Sequence, residues 1–473
     1  MDLLARLRQF SKDRLPLILG IYIILQPVLD VLTALGANAG YSLTAGTIVR
    51  ALFMALCFLY VVLVCRFPGR KWCLIALGAL VGYLILFLLW MFSLGGLSLC
   101  LENIKELVKV YFAPFVVLFL YAIYREYGMF VTTRAIAVAG AIYAGVILIA
   151  YLTNTSNVSY GNSGYGYNGW FYAANEVSCI IALTAPVTIY FFLKLLFSIT
   201  RKTWWKAVIS AFVLVSVIFS ANFIGTKIVF GITLLYCAAG LIWSLVRFCQ
   251  TRSREHLLWL LAFAILTVAI FFRYFSSPLR SYVDDIYIGM IEEDPELVFV
   301  SWGEEIQKAS NGTWLRALIE DNEVIKRIDQ ILSRRLLSAS PSVQVFTEAA
   351  LPGKLLGIGY ADVASYGRSV EFMIEIDPLA ILVRQGILGF VLYYIPYIAF
   401  ILYAIVQFFR HPFRRMASLK YCSYLYSTLA AFGISAIAGH ALVSPAVSTF
   451  ILVISFRLWV LTREQNRQFA IQS

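Results

Sequence analysis

Residues 72–95, WCLIALGALVGYLILFLLWMFSLG, run for 24 positions without a charged side chain. A helix needs about 20 consecutive apolar residues to cross the hydrocarbon core of a bilayer. A helix also satisfies its own backbone donors and acceptors, which lipid cannot do. The stretch therefore reads as a membrane-spanning helix, and the pattern repeats on both sides of it. Twelve such segments are predicted, at 15–36, 43–65, 72–95, 108–124, 130–153, 175–199, 205–222, 228–248, 256–275, 379–408, 418–439 and 441–461. The fold class that follows is all-α, a polytopic membrane protein of about 12 transmembrane helices. The basic start (Arg6, Arg8, Lys12, Arg14) leads into a full-length span, so no cleavable leader is predicted.

Composition agrees. The chain has 473 residues, 61% apolar and 14% charged, with mean hydropathy +0.82. Soluble domains carry about 25% charged residues. A soluble enzyme and a disordered chain are both excluded, because so much apolar surface needs lipid to cover it. The formal charge is +12. In a soluble protein that would suggest nucleic acid; here its distribution follows the positive-inside rule, and no nucleic-acid partner is expected. One set of connections carries Arg66, Arg70, Lys71, Arg125, Arg201, Lys202, Arg252, Arg254, Arg410, Arg414, Arg415 and Lys420, and Arg463 and Arg467 follow the last span. The alternate connections at 37–42 and 154–174 have no Lys or Arg, and only Lys105 and Lys227 interrupt that side. Both termini are expected in the cytoplasm, in a multi-pass membrane protein.

One connection is different. Residues 276–376 hold 16 of the 26 acidic residues and carry a net charge of −7, against +19 for the remainder. The chain thus divides into transmembrane helices 1–9 (1–275), an extracytoplasmic loop between spans nine and ten (276–376), and transmembrane helices 10–12 with a cytoplasmic tail (377–473). A loop this long is usually functional. Within it Trp314, Leu318, Ile325, Ile328 and Leu332 share one face at helical spacing. They predict one amphipathic helix lying over the membrane face of the protein. The acidic run Glu292-Glu293-Asp294 lacks calcium-loop spacing and reads as a solvated face. The segment Asn162-Ser-Gly-Tyr-Gly-Tyr-Asn168 is a turn of a composition that also suits stacking on sugar rings.

The eight cysteines form no CxxC pair, and the large loop has none, so neither a disulfide framework nor a zinc site is predicted. There is no P-loop, no GxGxxG and no Ser-His-Asp spacing, and no cofactor is expected. Ionisable groups within spans are costly and are functional candidates by default. Asp30, Arg50, Lys109, Glu176, Lys227, Asp377, Arg384 and His440 all fall in the outer halves or at the outer ends of spans. A proton-coupled transporter would place such groups near the midplane. A bias toward one side suits a reaction chamber at the outer surface instead. Each group read singly is equally well a structural ion pair between helices. Arg50, Lys227, Arg384, Arg334 and Arg335 are candidate phosphate ligands. A lipid-linked diphosphate is the natural substrate at that depth. Displacing diphosphate from a sugar carbon needs positive charge at the leaving group and a base for the acceptor hydroxyl. Glu375, Asp377 and His440 are the candidate bases, and the choice among them stays open.

These features resemble the O-antigen ligase and O-antigen polymerase family of integral-membrane glycosyltransferases, closest to forms from Gram-positive polysaccharide clusters. Gln26-Pro27-Val-Leu-Asp30 is similar to its first-span signature, and Trp170-Phe-Tyr-Ala-Ala-Asn175-Glu176 to its Asn-x-Asn-Glu segment. Asn222-Phe-Ile-Gly225-Thr226-Lys227 resembles its Gly-Ser-Arg or Gly-Thr-Lys turn, and Ile331-Leu-Ser333-Arg334-Arg335 its Ser-Gly-Arg motif, with Arg334 in place of glycine. Leu356-Gly357-Ile-Gly359-Tyr360, followed by Glu371 to Gly389, resembles the segment with its outer acidic or histidine residue; Gly439-His440 looks like the start of its last span. The resemblance implies a GT-C-like helical fold and metal-free, inverting transfer of a glycan from undecaprenyl diphosphate. It also implies diphosphate binding by Arg335, Lys227, Arg50 and Arg384, and sugar contacts from Asn175, Glu176, Arg334 and Trp170. The leading expectation is a polysaccharide polymerase that extends lipid-linked repeat units and works beside polysaccharide-export partners. The alternative is a ligase acting on another envelope acceptor, although that branch favours histidine where Glu375 and Asp377 stand. A flippase for lipid-linked oligosaccharide and a scaffold without chemistry complete the alternatives.

Overall fold

The computed structural model describes residues 3–41, 44–128, 132–159, 165–281, 283–284, 309–332, 334–363, 374–437 and 439–472. The run Glu292-Glu293-Asp294, residues 162–164 of the aromatic loop, Ser333 and Glu371 lie outside these described residues.

The chain is a helical bundle. Its long helices are α1 (Leu3–Asn38), α2 (Ala45–Leu59, continued by a π-turn at Tyr60–Val64), α3 (Arg70–Val110), α4 (Phe112–Tyr127), α5 (Thr133–Leu152), α6 (Ala174–Phe197), α7 (Trp205–Phe223), α8 (Lys227–Thr251) and α9 (Arg254–Tyr274). A two-stranded antiparallel ribbon, β1 (Asn157–Val158) and β2 (Tyr167–Gly169), lies between α5 and α6. The inserted segment contributes α10 (Trp314–Asp321), α11 (Glu323–Ile331), α12 (Arg335–Glu348) and α13 (Leu351–Leu356). Then come α14 (Asp377–Arg410), a short α15 (Pro412–Met416), α16 (Leu419–Ile437) and α17 (Pro445–Gln472).

Ten of these helices are long and apolar enough to cross a membrane. The other two of the twelve predicted spans, α4 and α16, fall short in length or in hydropathy. α4 has only 16 residues. α16 has 19, but Tyr421, Ser423, Tyr424, Tyr426, Ser427 and Thr428 dilute its apolar character. The predicted fourth span also begins too early, at 108. α3 runs on to Val110 after non-helical backbone at Gly95 and Gly96, so residues 97–110 form a separate helical limb after the crossing.

Packing follows from lipid being the solvent. α6 and α17 are largely enclosed, whereas α1, α2 and α9 expose much of their length, including Leu52, Leu56, Ile265 and Phe272. Lipid supplies little apolar driving force between helices, so close fit of small residues matters. The α5–α6 contact shows this: Ala137, Gly140 and Ala144 of α5 are buried, and Thr188 Oγ1 donates to the Ala137 carbonyl at 3.4 Å.

The inserted segment corrects one expectation. The predicted single amphipathic helix is two helices, α10 and α11, broken at Asn322. Asn322 leaves helical geometry and its Oδ1 accepts from the N–H groups of Val324 and Ile325, capping α11. Trp314, Leu318 and Ile328 of the predicted face are exposed, while Ile319 is buried. The segment is anchored to α14 by main chain. Ile358 N donates to Val383 O at 3.2 Å and Gly359 N to Arg384 O at 3.0 Å. Directly after, Gly386 (φ 66°, ψ −177°) interrupts α14. A side chain there would strike the backbone of Leu355 and Gly357, and only glycine adopts that geometry readily.

Candidate functional site

The starts of α6, α8, α12, α14 and α17 meet at one end of the bundle. Helix starts leave unpaired N–H groups and a partial positive charge, which favour anions. Arg335, the first residue of α12, donates through Nε to Glu375 Oε2 at 2.6 Å and through a terminal nitrogen to the Ile437 carbonyl at 2.8 Å. Lys227, the first residue of α8, lies within electrostatic range of Arg335. Glu176, in the first turn of α6, accepts from the Ser444 hydroxyl at 2.7 Å. Cys179 joins these groups, lying one turn beyond Asn175 and within electrostatic range of Asp377, Glu176 and Arg335.

Asp377 is fully buried at the start of α14. Its Oδ2 accepts from Ser435 Oγ at 3.0 Å, Ala441 N at 3.0 Å and Leu442 N at 2.7 Å. One carboxylate thus ties α14 to the end of α16 and to the turn before α17. His440 sits in that turn with φ 51°, a conformation that L residues rarely adopt, and within electrostatic range of Asp377. Its Nε2 is buried and has no hydrogen-bond partner among the described residues. The Glu375 side chain is 32% exposed and that of Arg335 14%, so this pair borders the open side of the cluster. Gly439 lets the two chain segments touch, since any Cβ at that position would collide with the Glu375 main chain.

Lys227, Arg335, Glu375, Asp377, Glu176 and His440 are therefore neighbours. The other predicted residues lie elsewhere. Arg50 is buried between α1 and α2, with a terminal nitrogen 2.5 Å from Asp30 Oδ1 and Nε 3.0 Å from Gln26 Oε1. Tyr143 of α5 donates to the other oxygen of Asp30. Arg50 thus clamps three helices together, although Tyr143 is within electrostatic range of Glu176. Arg384 donates to the Gly359 carbonyl at 3.1 Å and lies over the Tyr360 ring. It belongs to a separate polar group in which Gln385 bonds Tyr111 and Tyr360, each at 2.6 Å. Trp170 donates its indole N–H to Thr155 at 2.8 Å. Arg334 caps the start of α12, 3.6 Å from buried Asp329. Burial raises the Asp329 carboxyl above its ordinary range, opposed by N–H donation from Leu337 and by Arg334. The Asn175 side chain makes no hydrogen bond among the described residues.

Sequence reasoning missed Cys179, Ser435 and Ser444. Ser444-Pro445 is the signature of a helix start and marks the turn. Cys179 lies four residues after Asn175, on the same helix face.

An apolar cleft of about 340 Å³ opens between α4, α14, α16 and α17. Its wall includes Tyr397, which is within electrostatic range of Asp377. Among the described residues no group of three His, Cys, Asp or Glu could hold a metal ion.

The family described as O-antigen ligase like membrane protein matches residues 12–464. The chain belongs to this family. No curated protein matches the sequence. As an O-antigen ligase-like protein the chain is an integral membrane protein with a glycan-transfer role, in a family that acts on lipid-linked glycans.

Proposed function

We propose that the O-antigen ligase-like chain polymerises undecaprenyl-diphosphate-linked oligosaccharide units on the outer face of the cytoplasmic membrane. The observation that carries this reading is the Arg335–Glu375 pair, with Lys227 beside it, at the meeting point of five helix starts. Arg335 and Lys227 take the donor diphosphate, one as a fork and the other as a point charge. The N–H groups at the helix starts add to the field. The apolar cleft beside Tyr397 accepts the isoprenoid tail.

Glu375 is the base. Unlike the fully buried Asp377 it is solvent-accessible, and Arg335 holds it in place. It takes the proton of an acceptor hydroxyl as that oxygen bonds to the anomeric carbon. The carbon–oxygen bond to diphosphate breaks on the opposite face, its electron pair leaves with the diphosphate, and the configuration inverts. Positive charge at the departing phosphate lowers the barrier. Asp377 is a positioning residue: fully buried, it fixes the turn that carries His440. Glu176 and Asn175 border the sugar.

By the positive-inside rule we put both termini and the connections that carry Arg66, Arg125, Arg201, Arg252 and Arg410 in the cytoplasm, with 276–376 outside.

Chromosomal variants test the reading. Arg335→Ala and Lys227→Ala abolish polymer while the protein stays in the membrane at its normal level. Glu375→Gln lowers turnover more than donor binding. Polymer of ordinary length in the Arg335→Ala strain overturns the assignment. Deletion of the gene separates polymerase from ligase: loss of a polymerase leaves single repeat units, whereas loss of a ligase leaves finished polymer on its lipid carrier.

A further inference from the structure

A second cavity opens at the same end of the bundle, and the transfer reaction above does not use it. It measures about 540 Å³ and lies between the ends of α5, α7 and α9 and strand β2. That is within the ~300–1,000 Å³ typical of small-molecule sites. One wall is aromatic. Tyr151 packs edge-on against Tyr167 and Phe223, with ring centroids 5.0 and 5.3 Å away. Cationic side chains border this wall. The Arg273 guanidinium sits 4.7 Å above the Phe223 ring and donates to Ser276 Oγ at 3.1 Å. Arg280 pairs with Asp284 at 3.2 Å, and both side chains are about half exposed. Phe275, Ser276, Ser277, Pro278 and Ser281 complete the described lining. The described lining therefore holds two guanidiniums, of which Arg280 pairs with its one carboxylate, Asp284.

We propose that this cavity binds an acidic saccharide segment of the growing glycan. Sugar rings present C–H faces to aromatic walls, and their hydroxyls match serine and carboxylate partners. Guanidinium forks match a uronate carboxylate or a sugar phosphate. The location fits a product-side grip. Phe223 lines the cavity and Lys227 begins α8 four residues later, so their Cα atoms are at most about 14 Å apart. The intervening Gly225 packs against Tyr165 and Gly166, which fixes this turn to the strand that carries Tyr167. A glycan end at the Lys227–Arg335 cluster thus reaches the cavity within a few sugar units. The inference rests on reading that cluster as the transfer site.

The test uses the purified full chain in detergent. Binding of hexagalacturonate, of neutral maltohexaose and of inorganic phosphate is measured for wild type, Arg280→Glu, Asp284→Asn and Arg335→Ala. Wild type binds hexagalacturonate at least tenfold more tightly than maltohexaose. Arg280→Glu removes that preference, Asp284→Asn strengthens it by freeing Arg280, and Arg335→Ala leaves it unchanged. In cells Arg280→Glu shortens the polymer without abolishing it. Equal binding of the two hexasaccharides overturns the proposal, as does a preference that survives Arg280→Glu. Displacement of hexagalacturonate by phosphatidylglycerol vesicles, but not by phosphatidylcholine vesicles, also overturns it and assigns the cavity to a lipid headgroup. If Arg335→Ala cells keep their polymer while the Arg280-dependent preference persists, the transfer reading fails and the cavity stands.

Discussion

Arg334 and Asp329 show how one strained residue serves its neighbour. Arg334 has φ 60°, the left-handed geometry that costs an L residue about 1–2 kcal/mol. Glycine would adopt this backbone angle without that cost. In return the Arg334 guanidinium lies 3.6 Å from the buried Asp329 carboxyl. Asp329 Oδ1 in turn accepts from Leu336 N at 2.9 Å and Leu337 N at 3.3 Å, capping α12 and so aiming Arg335. Arg334→Gly relieves the strain but removes the cation beside the buried Asp329 carboxylate, so the melting temperature falls while polymer is still made. Asp329→Ala removes the cap, costs about 1 kcal/mol or more and lowers activity through Arg335. Thermal melts in detergent and polymer gels of both variants check the pair. At this scale hydropathy and motif gave the depth of each charge but not its azimuth. That Lys227, Arg335 and Glu375 share one end of the bundle could be read from the sequence, because each lies at or just before a helix start on the side without the basic connections. The place of Arg50 could not be, because its partners Asp30 and Gln26 sit on a different helix and a single sequence does not reveal cross-helix pairing.

Helix boundaries were read well where hydropathy alone decides them and poorly where backbone geometry does. The crossing at 72–95 ends at the Gly95-Gly96 turn, but the polar limb beyond it was hidden by its resumed helical backbone. The break in the amphipathic segment carried a signal that the apolar spacing masked: Asn322 followed by Glu323 is a helix start. The break at Gly386 is the most consequential. Gly386→Ala forces a side chain into a glycine-only conformation and against the α13–Gly357 backbone, costing at least about 1–3 kcal/mol. A lower melting temperature and reduced polymer are expected, whereas Gly433→Ala on open helix surface is the neutral control.

For the molecule as a whole, the bundle and its family were visible in composition and short motifs, but the direction of insertion is a matter of loop charge. Lys354 is exposed on the inserted segment and Cys249 is exposed at the end of α8, on a connection rich in arginine. A membrane-impermeant maleimide labels Lys354→Cys in intact cells and reaches Cys249 only after lysis; the reverse pattern inverts the topology. The Asp329 cap on α12 and the main-chain bonds from 358 and 359 to 383 and 384 together bound the piece that can be swapped between relatives. A graft that starts after Asp329 leaves the first turn of α12 without its cap, and one that stops before Gly386 leaves out the break that admits the 355–357 backbone.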